Sequence, residues 1–242
     1  MRLPKVIGHR GAAASAPENT LAGFRRAAAL GAAWVEFDAR LTADCRAIVF
    51  HDDRLERTTN GHGRLVDATL AEIRRLDAGS WFGPAFAGEP VPTVAEAMIE
   101  IAALGLGANL EIKPEPGRET EIARVALAEA AAAWPAERPA PLVSSFSRAA
   151  LAAARDLVPD WPRGLLVARL PSDWRDITVG LGCRTVHCDQ RHLDADAVAA
   201  IREAGLDVLA WTVNDPGKAR RLWGWGVAGL FTDVPEVLLE TA

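Results

Sequence analysis

Trp34-Val35-Glu36-Phe37-Asp38 is followed, thirteen residues after Asp38, by His51-Asp52. The first run alternates as a β-strand does, and the pattern extends to Thr42. Glu36 and Asp38 stand two positions apart, so their carboxylates share one face of that strand. Ala47-Ile48-Val49-Phe50 is a second short apolar run, and the two runs read as a β-hairpin. A tight turn at Asp44-Cys45 pairs Ala43 with Arg46, and the same register predicts Asp38 opposite His51. Glu36, Asp38 and His51 then point to one side. The turn lacks glycine, and a slip of one residue sends His51 to the other face.

Outward from the hairpin the chain alternates β-type runs with Ala-rich helical runs. The β-type runs are 5–9, 34–42, 108–113, 142–145, 164–167, 185–188, 207–212 and 229–232. Helix patterns cover 19–30, 94–104, 119–134, 148–157, 195–204 and 216–223. Eight parallel-type strands with intervening helices predict an α/β fold, a closed (β/α)8 TIM barrel. An open doubly wound sheet is the rival that periodicity leaves standing. No dinucleotide fingerprint follows the first strand, because Gly8-His9-Arg10-Gly11 has the wrong spacing for one. The chain reads as a single barrel over 1–242. Residues 52–92 interrupt the rhythm with a Thr58-Thr59-Asn60-Gly61 turn, a helix pattern near 70–76 and a Gly/Pro-rich stretch. They read as a small insertion subdomain over the barrel mouth, after the second strand.

Composition narrows the classes. Of 242 residues, 50% are hydrophobic and 24% charged, an ordinary globular balance. A net charge of −5 without a clustered basic face argues against nucleic acid as a partner. The apolar stretches are too short and interrupted for an integral membrane segment. Cys45, Cys183 and Cys188 are an odd number without metal-type spacing. With strand-like Val6-Ile7-Gly8 starting almost at once, the expectation is a cytoplasmic protein with reduced thiols. Nothing in the sequence fixes an oligomeric state.

In a (β/α)8 barrel the C-terminal ends of the strands line the site. The polar residues there are His9-Arg10, Glu36, Asp38, Glu111, Lys113, Ser145-Phe146, Asp189-Gln190, Trp211, Asn214 and Thr232-Asp233. Three carboxylates converging in one cavity need a counter-charge, and a divalent cation supplies it. Oxygen ligands favour Mg²⁺, Mn²⁺ or Ca²⁺ over Zn²⁺. Arg10 and Lys113 beside the cation make a phosphate-binding set. His9 and His51 can divide the proton work. The chemistry this predicts is metal-assisted cleavage of a phosphate ester. Each residue also has a bland reading: Glu36 and Asp38 as structural ion pairs, His9 as a satisfied core histidine, Lys113 as a partner of Glu111, Trp211 as core packing. His62, His187 and His192 lack such company and read as structural or solvated.

Gly8-His9-Arg10-Gly11, Ala16-Pro17-Glu18-Asn19-Thr20, Glu36-Phe37-Asp38, Phe50-His51-Asp52, Thr58-Thr59-Asn60-Gly61, Leu110-Glu111-Ile112-Lys113, Ser145-Phe146, Trp211-Thr212-Val213-Asn214 and Thr232-Asp233-Val234-Pro235 occur in this order. This series resembles the glycerophosphodiester phosphodiesterase family, and its compact length resembles the short cytoplasmic bacterial members. The resemblance implies a barrel of the phosphatidylinositol-phospholipase-C-like type and one divalent cation, Mg²⁺ or Ca²⁺ with Mn²⁺ as a further option, held by Glu36, Asp38 and Glu111. It further implies His9 and His51 as general acid and base, Arg10 and Lys113 as phosphate contacts, and Trp211 and Phe146 at the substrate pocket. The implied reaction takes a small-molecule glycerophosphodiester, such as glycerophosphocholine or glycerophosphoethanolamine, to sn-glycerol 3-phosphate and an alcohol. Water and the neighbouring glycerol hydroxyl both stand as nucleophile. The hairpin turn departs from the family's Asp-Gly, reading Asp44-Cys45.

Three other readings compete. A lysophospholipase-D-type enzyme on the same barrel needs an apolar groove, which Trp81, Phe82 and Phe86 could supply. A glycosidase would use two carboxylates and no Arg-Lys-metal set. A non-catalytic phosphodiester-binding protein would not need both histidines.

Overall fold

Residues 3–242 are described by a computed structural model. The strands are β1 (Val6–Gly8), β2 (Trp34–Leu41), β3 (Ala47–Val49), β4 (Gly107–Ile112), β5 (Leu142–Ser145), β6 (Arg163–Val167), β7 (Thr185–Asp189), β8 (Asp207–Trp211) and β9 (Gly229–Thr232). The α-helices are α1 (Leu21–Ala29), α2 (Leu70–Ile73), α3 (Val94–Ala103), α4 (Glu119–Ala133), α5 (Arg148–Leu157), α6 (Trp174–Leu181), α7 (Ala195–Glu203), α8 (Pro216–Trp225) and α9 (Pro235–Leu239).

All strands but β3 run parallel, and β1 pairs with both β2 and β9, which closes the barrel. The open sheet is thereby excluded. Side-chain alternation sorts the strands into two layers. Val35, Phe37, Ala108 and Leu110 face outward into a core shared with α1, α3 and α4, where Phe24 meets Phe37 at 5.9 Å. A matching outer core lies under α6, α7 and α8 around Val186, Val198, Val208 and Leu222. Ile7, Leu142, Leu209 and Phe231 cluster separately from both outer cores, with Trp34 packed against them. They have the alternate parity, which plugs the lower barrel interior. Glu36, Asp38 and Glu111, of the same parity, sit further toward the strands' C-terminal ends.

Helix starts follow the sequence chemistry. Thr20 caps α1, accepting from Gly23 N at 3.0 Å, and Thr93 with Glu96 forms a capping box on α3. Two helices have no counterpart among the predicted patterns, α6 and α9. Segment 52–92 carries its own small core of Leu55, Leu65, Ile73, Ala78 and Val91, packed on Ile48 and Phe50 of the hairpin. Among the described residues, no helix is long and apolar enough to cross a membrane.

The hairpin register corrects the expected one by a single residue. Ala39 pairs with Val49, Arg40 with Ile48 and Leu41 with Ala47. Phe50 N donates to Asp38 O at 2.9 Å, so Phe50 rather than His51 stands across from Asp38. The cause is the turn. Thr42 N donates to Arg46 O at 3.1 Å, which leaves a three-residue loop, Ala43-Asp44-Cys45. Cys45 takes the left-handed position (φ 55°) that glycine usually fills in such loops. The β3 ladder stops at Val49. His51 lies beyond it, so the strand's alternation does not dictate where its ring points.

Candidate active site

Parallel pairing of β2 with β4 sets the centre of the site. Asp38 lies in register with Glu111, and Glu36 with Asn109, all facing inward. One oxygen from each of Glu36, Asp38 and Glu111 falls within 4.8 Å of the others. All three side chains are buried. Burial, then repulsion from Asp38 and Glu111, pushes Glu36 well above the usual carboxylate range. Burial and Asp38 push Glu111 up to about 7, against the pull of Lys113. For Asp38, burial is outweighed by Lys113, Arg10, His51 and the Asn19 amide, which hold it down to about 2.

The β1–α1 turn brings the first cation. A Cβ on Gly8 would lie 2.2 Å from the Gly11 carbonyl, so the turn closes only on glycine. Arg10 occupies the left-handed region (φ 51°), and its backbone N–H donates to Glu36 Oε2 at 3.0 Å. Its guanidinium lies 3.3 Å from Asp38 and 2.7 Å from Glu18. Asn19 Nδ2 donates to Asp38 Oδ2 at 2.8 Å, and Asp38 N donates back to Asn19 Oδ1 at 3.2 Å. Lys113 reaches in beyond the end of β4, its Nζ 2.8 Å from Glu111 and 3.4 Å from Asp38.

Each histidine is held through Nδ1 by a carboxylate. His9 Nδ1 meets Asp233 Oδ1 at 2.7 Å, leaving Nε2 at 4.0 Å from Glu36 Oε2. Asp233 is itself fixed by Asn214, whose Nδ2 donates at 2.7 Å. His51 Nδ1 meets Asp52 Oδ1 at 2.6 Å, and Arg40 Nε donates to the His51 carbonyl at 2.7 Å. Burial, helped by Arg10 and Lys113 and opposed by Asp38, lowers the His51 imidazole below its ordinary range.

These groups open on one cavity of about 290 Å³, lined by His9, Arg10, Glu36, His51, Glu111 and Lys113 on its polar side and by Phe146, Trp211 and Phe231 on its apolar side. Phe146 and Trp211 meet edge to face at 5.7 Å, with Phe146 about half exposed. Asp38 sits just behind this wall. The structure thus brings together His9, His51, Arg10, Lys113, Phe146, Trp211, Glu36, Asp38 and Glu111. It does not bring in Asp189, which folds onto Arg191 at 2.6 Å, nor Trp81, Phe82 and Phe86, which meet edge to face in series within the insertion.

Sequence reasoning gave no role to Asp52 or Asp233 as partners of the histidines, nor to Asn19 as the clamp on Asp38. His187, expected to be structural or solvated, is structural but also reaches the cavity wall. That ring is fully buried and lines the cavity, its Nε2 2.8 Å from Thr185 Oγ1 and its Nδ1 without a partner. The alternation Thr185-Val186-His187-Cys188-Asp189 carried the signal, because it puts His187 on the inward face.

Carboxylates, cations and carboxylate-held imidazoles thus converge at the C-terminal strand ends of a closed (β/α)8 barrel. The model of the glycerophosphoryl diester phosphodiesterase family matches residues 9–237. Glycerophosphodiester phosphodiesterases of Caldanaerobacter subterraneus subsp. tengcongensis and Bacillus subtilis (strain 168) are 35% and 32% identical to the chain. They cover 97% and 96% of it and 96% and 84% of their own lengths. A phosphodiesterase of Oleispira antarctica, solved in complex with the product sn-glycerol-3-phosphate, superposes with a TM-score of 0.96 at 40% identity. The match spans 99% of this chain and 96% of that one. The chain belongs to the glycerophosphoryl diester phosphodiesterase family. It is a phosphoric diester hydrolase, and glycerophosphodiesters are its substrate class.

Proposed function

We propose that this cavity hydrolyses glycerophosphodiesters such as glycerophosphocholine or glycerophosphoethanolamine to sn-glycerol 3-phosphate and an alcohol, using one divalent cation and a pair of histidines. The observation that carries the reading is the convergence of three buried carboxylates, two cations and two carboxylate-held imidazoles on one cavity.

The residues fit a cation. Arg10 and Lys113 balance only two of the three carboxylates, and Glu36 Oε1 is buried without a hydrogen-bond partner. Glu36, Asp38 and Glu111 would hold the ion, and an all-oxygen set suits Mg²⁺, Ca²⁺ or Mn²⁺. When bound, a divalent cation supplies positive charge that stabilises the phosphorane-like transition state.

The chain's own groups do the rest. Arg10 and Lys113 orient the phosphate oxygens. His51, held neutral, accepts the proton of the nucleophile, which is either water or the adjacent glycerol hydroxyl; the hydroxyl route gives a cyclic phosphate that a water then opens to sn-glycerol 3-phosphate. Asp52 fixes the tautomer that leaves its Nε2 free. His9, braced by Asp233, donates from Nε2 to the departing alcohol oxygen. Trp211 and Phe146 offer an apolar edge against which the carbon skeleton rests. The segment 52–92 serves as a subdomain at the mouth, and Asp52 at its start orients His51.

The test is release of sn-glycerol 3-phosphate from glycerophosphocholine by the purified protein, with EDTA and with each cation restored. Release that EDTA abolishes and a cation restores supports the reading. No release from any glycerophosphodiester with any cation contradicts it.

A further inference from the structure

We infer that Arg57, in the insertion, is a positioning residue that sets both the phosphate-binding Arg10 and the imidazole of His51. This inference rests on the roles proposed above. The geometry is a double fork. Arg57 Nε and Nη2 reach Asp52 Oδ2 and Oδ1 at 2.5 and 2.8 Å, while Nη1 and Nη2 reach Glu18 Oε2 and Oε1 at 2.7 and 2.8 Å. Each carboxylate passes the contact on through an oxygen it shares. Glu18 Oε1 also accepts from Arg10 Nη1 at 2.7 Å, and Asp52 Oδ1 is the atom bonded to His51 Nδ1 at 2.6 Å. One guanidinium therefore bridges the β1–α1 loop to the segment after the hairpin, with a machinery residue at the end of each arm.

A plain anchoring role does not account for this. The insertion is already fastened by Leu55, Leu65, Ile73, Ala78 and Val91 packed against Ile48 and Phe50. The turn after Arg57 is tied separately, with Thr59 Oγ1 donating to Leu55 O at 2.7 Å and Asp77 N to Asn60 Oδ1 at 2.9 Å. Direct phosphate binding by Arg57 is disfavoured too, because four of its N–H directions are spent on carboxylates. Planar bidentate pairing fixes orientation in a way a lysine ammonium does not. Small displacements of such groups are expensive in rate.

The test compares the metal-loaded wild type with Arg57→Ala, Arg57→Lys, Glu18→Gln and Asp52→Asn. Arg57→Ala should lose about 10–100-fold in kcat on glycerophosphocholine. Its affinity for sn-glycerol 3-phosphate, by calorimetry, should fall about 5-fold, the scale of a partly exposed ion-pair contact. Asp52→Asn should reproduce the turnover loss with product affinity largely kept, and Glu18→Gln chiefly the affinity loss. Millimolar guanidinium should restore part of the Arg57→Ala turnover, and Arg57→Lys should fall in between. Imidazole NMR without substrate should show a changed tautomer balance at His51 in Arg57→Ala. That reading stands even if the wild type cleaves no diester, an outcome that would count against the proposed function alone. Wild-type turnover and affinity in Arg57→Ala would overturn the inference. So would an unchanged His51 spectrum, or a loss that tracks the unfolded fraction and ignores guanidinium.

Discussion

Asp233 holds His9 from across the β1–β9 seam, its Oδ1 2.7 Å from His9 Nδ1, so the ring presents Nε2 to the cavity. Asn214 braces the same carboxylate from the other side at 2.7 Å. An amide at 233 carries no charge and so no longer stabilises the imidazolium that His9 must be to give up a proton from Nε2. Asp233→Asn should therefore lower kcat on glycerophosphocholine by about 10²-fold with KM nearly unchanged. Steady-state kinetics checks this, and unchanged kcat would remove Asp233 from the account.

The carboxylate cluster predicts a metal-dependent stability. Glu36, Asp38 and Glu111 repel one another in the apo protein. A cation at about 100 times its Kd should add about 2.7 kcal/mol. For a chain of this size that raises the melting temperature by several degrees. Glu111→Gln should lose most of this shift and most activity while staying folded. Calorimetric titration of Mg²⁺, Ca²⁺ and Mn²⁺ into both proteins decides it, and full cation binding by the variant would exclude Glu111 as a ligand.

His187 predicts a pH-dependent stability. Burial lowers its pKa from 6.5 to about 3. Between those values the unfolded chain binds a proton that the folded chain refuses, so stability falls as pH drops from 6.5 toward 3. From about pH 7 to about pH 5 this group alone should cost about 2 kcal/mol. Urea unfolding at the two pH values should show that loss in the wild type and a loss smaller by about that amount in His187→Gln. Equal pH dependence in both would contradict it.

Cys45 sits in the left-handed backbone region at the hairpin tip, an unfavourable place for a side chain. Cys45→Gly should raise the melting temperature by about 2 °C, the relief of strain exceeding the added chain entropy. Thermal unfolding measures it, and a lower melting temperature would show that the thiol's contacts with Arg118 and Glu121, at 3.3 and 3.2 Å, matter more.

The strands were legible because most are short, largely apolar runs set off from one another by Ala-rich helical runs. Glu36, Asp38 and Glu111 could be placed together from strand-end position taken with the family resemblance. The hairpin register was not, because it depends on one backbone angle at Cys45, a residue with no sequence preference for that angle. Helix α6 hid behind Ile177, Thr178, Val179 and Gly180, poor helix formers. Its buried residues Trp174, Ile177, Thr178 and Leu181 nonetheless keep the i, i+3, i+4, i+7 spacing, and Gly182 closes it in the left-handed conformation. The bracing carboxylates Asp52 and Asp233 stood in the quoted motifs. Their partners become visible only once distant segments are folded side by side.

Proton transfer by His9 and His51 is the centre of the account, and the leaving group tests it most directly. Turnover of the wild type, His9→Ala and His51→Ala should be measured across pH on glycerophosphocholine and on the p-nitrophenyl diester of glycerol phosphate. The wild type should give a bell-shaped profile, and each variant should lose about 10²–10⁴-fold on glycerophosphocholine. p-Nitrophenolate leaves without a proton, so the activated diester should recover much of the His9→Ala loss and little of the His51→Ala loss. Near-wild-type turnover of glycerophosphocholine by His51→Ala would contradict the account.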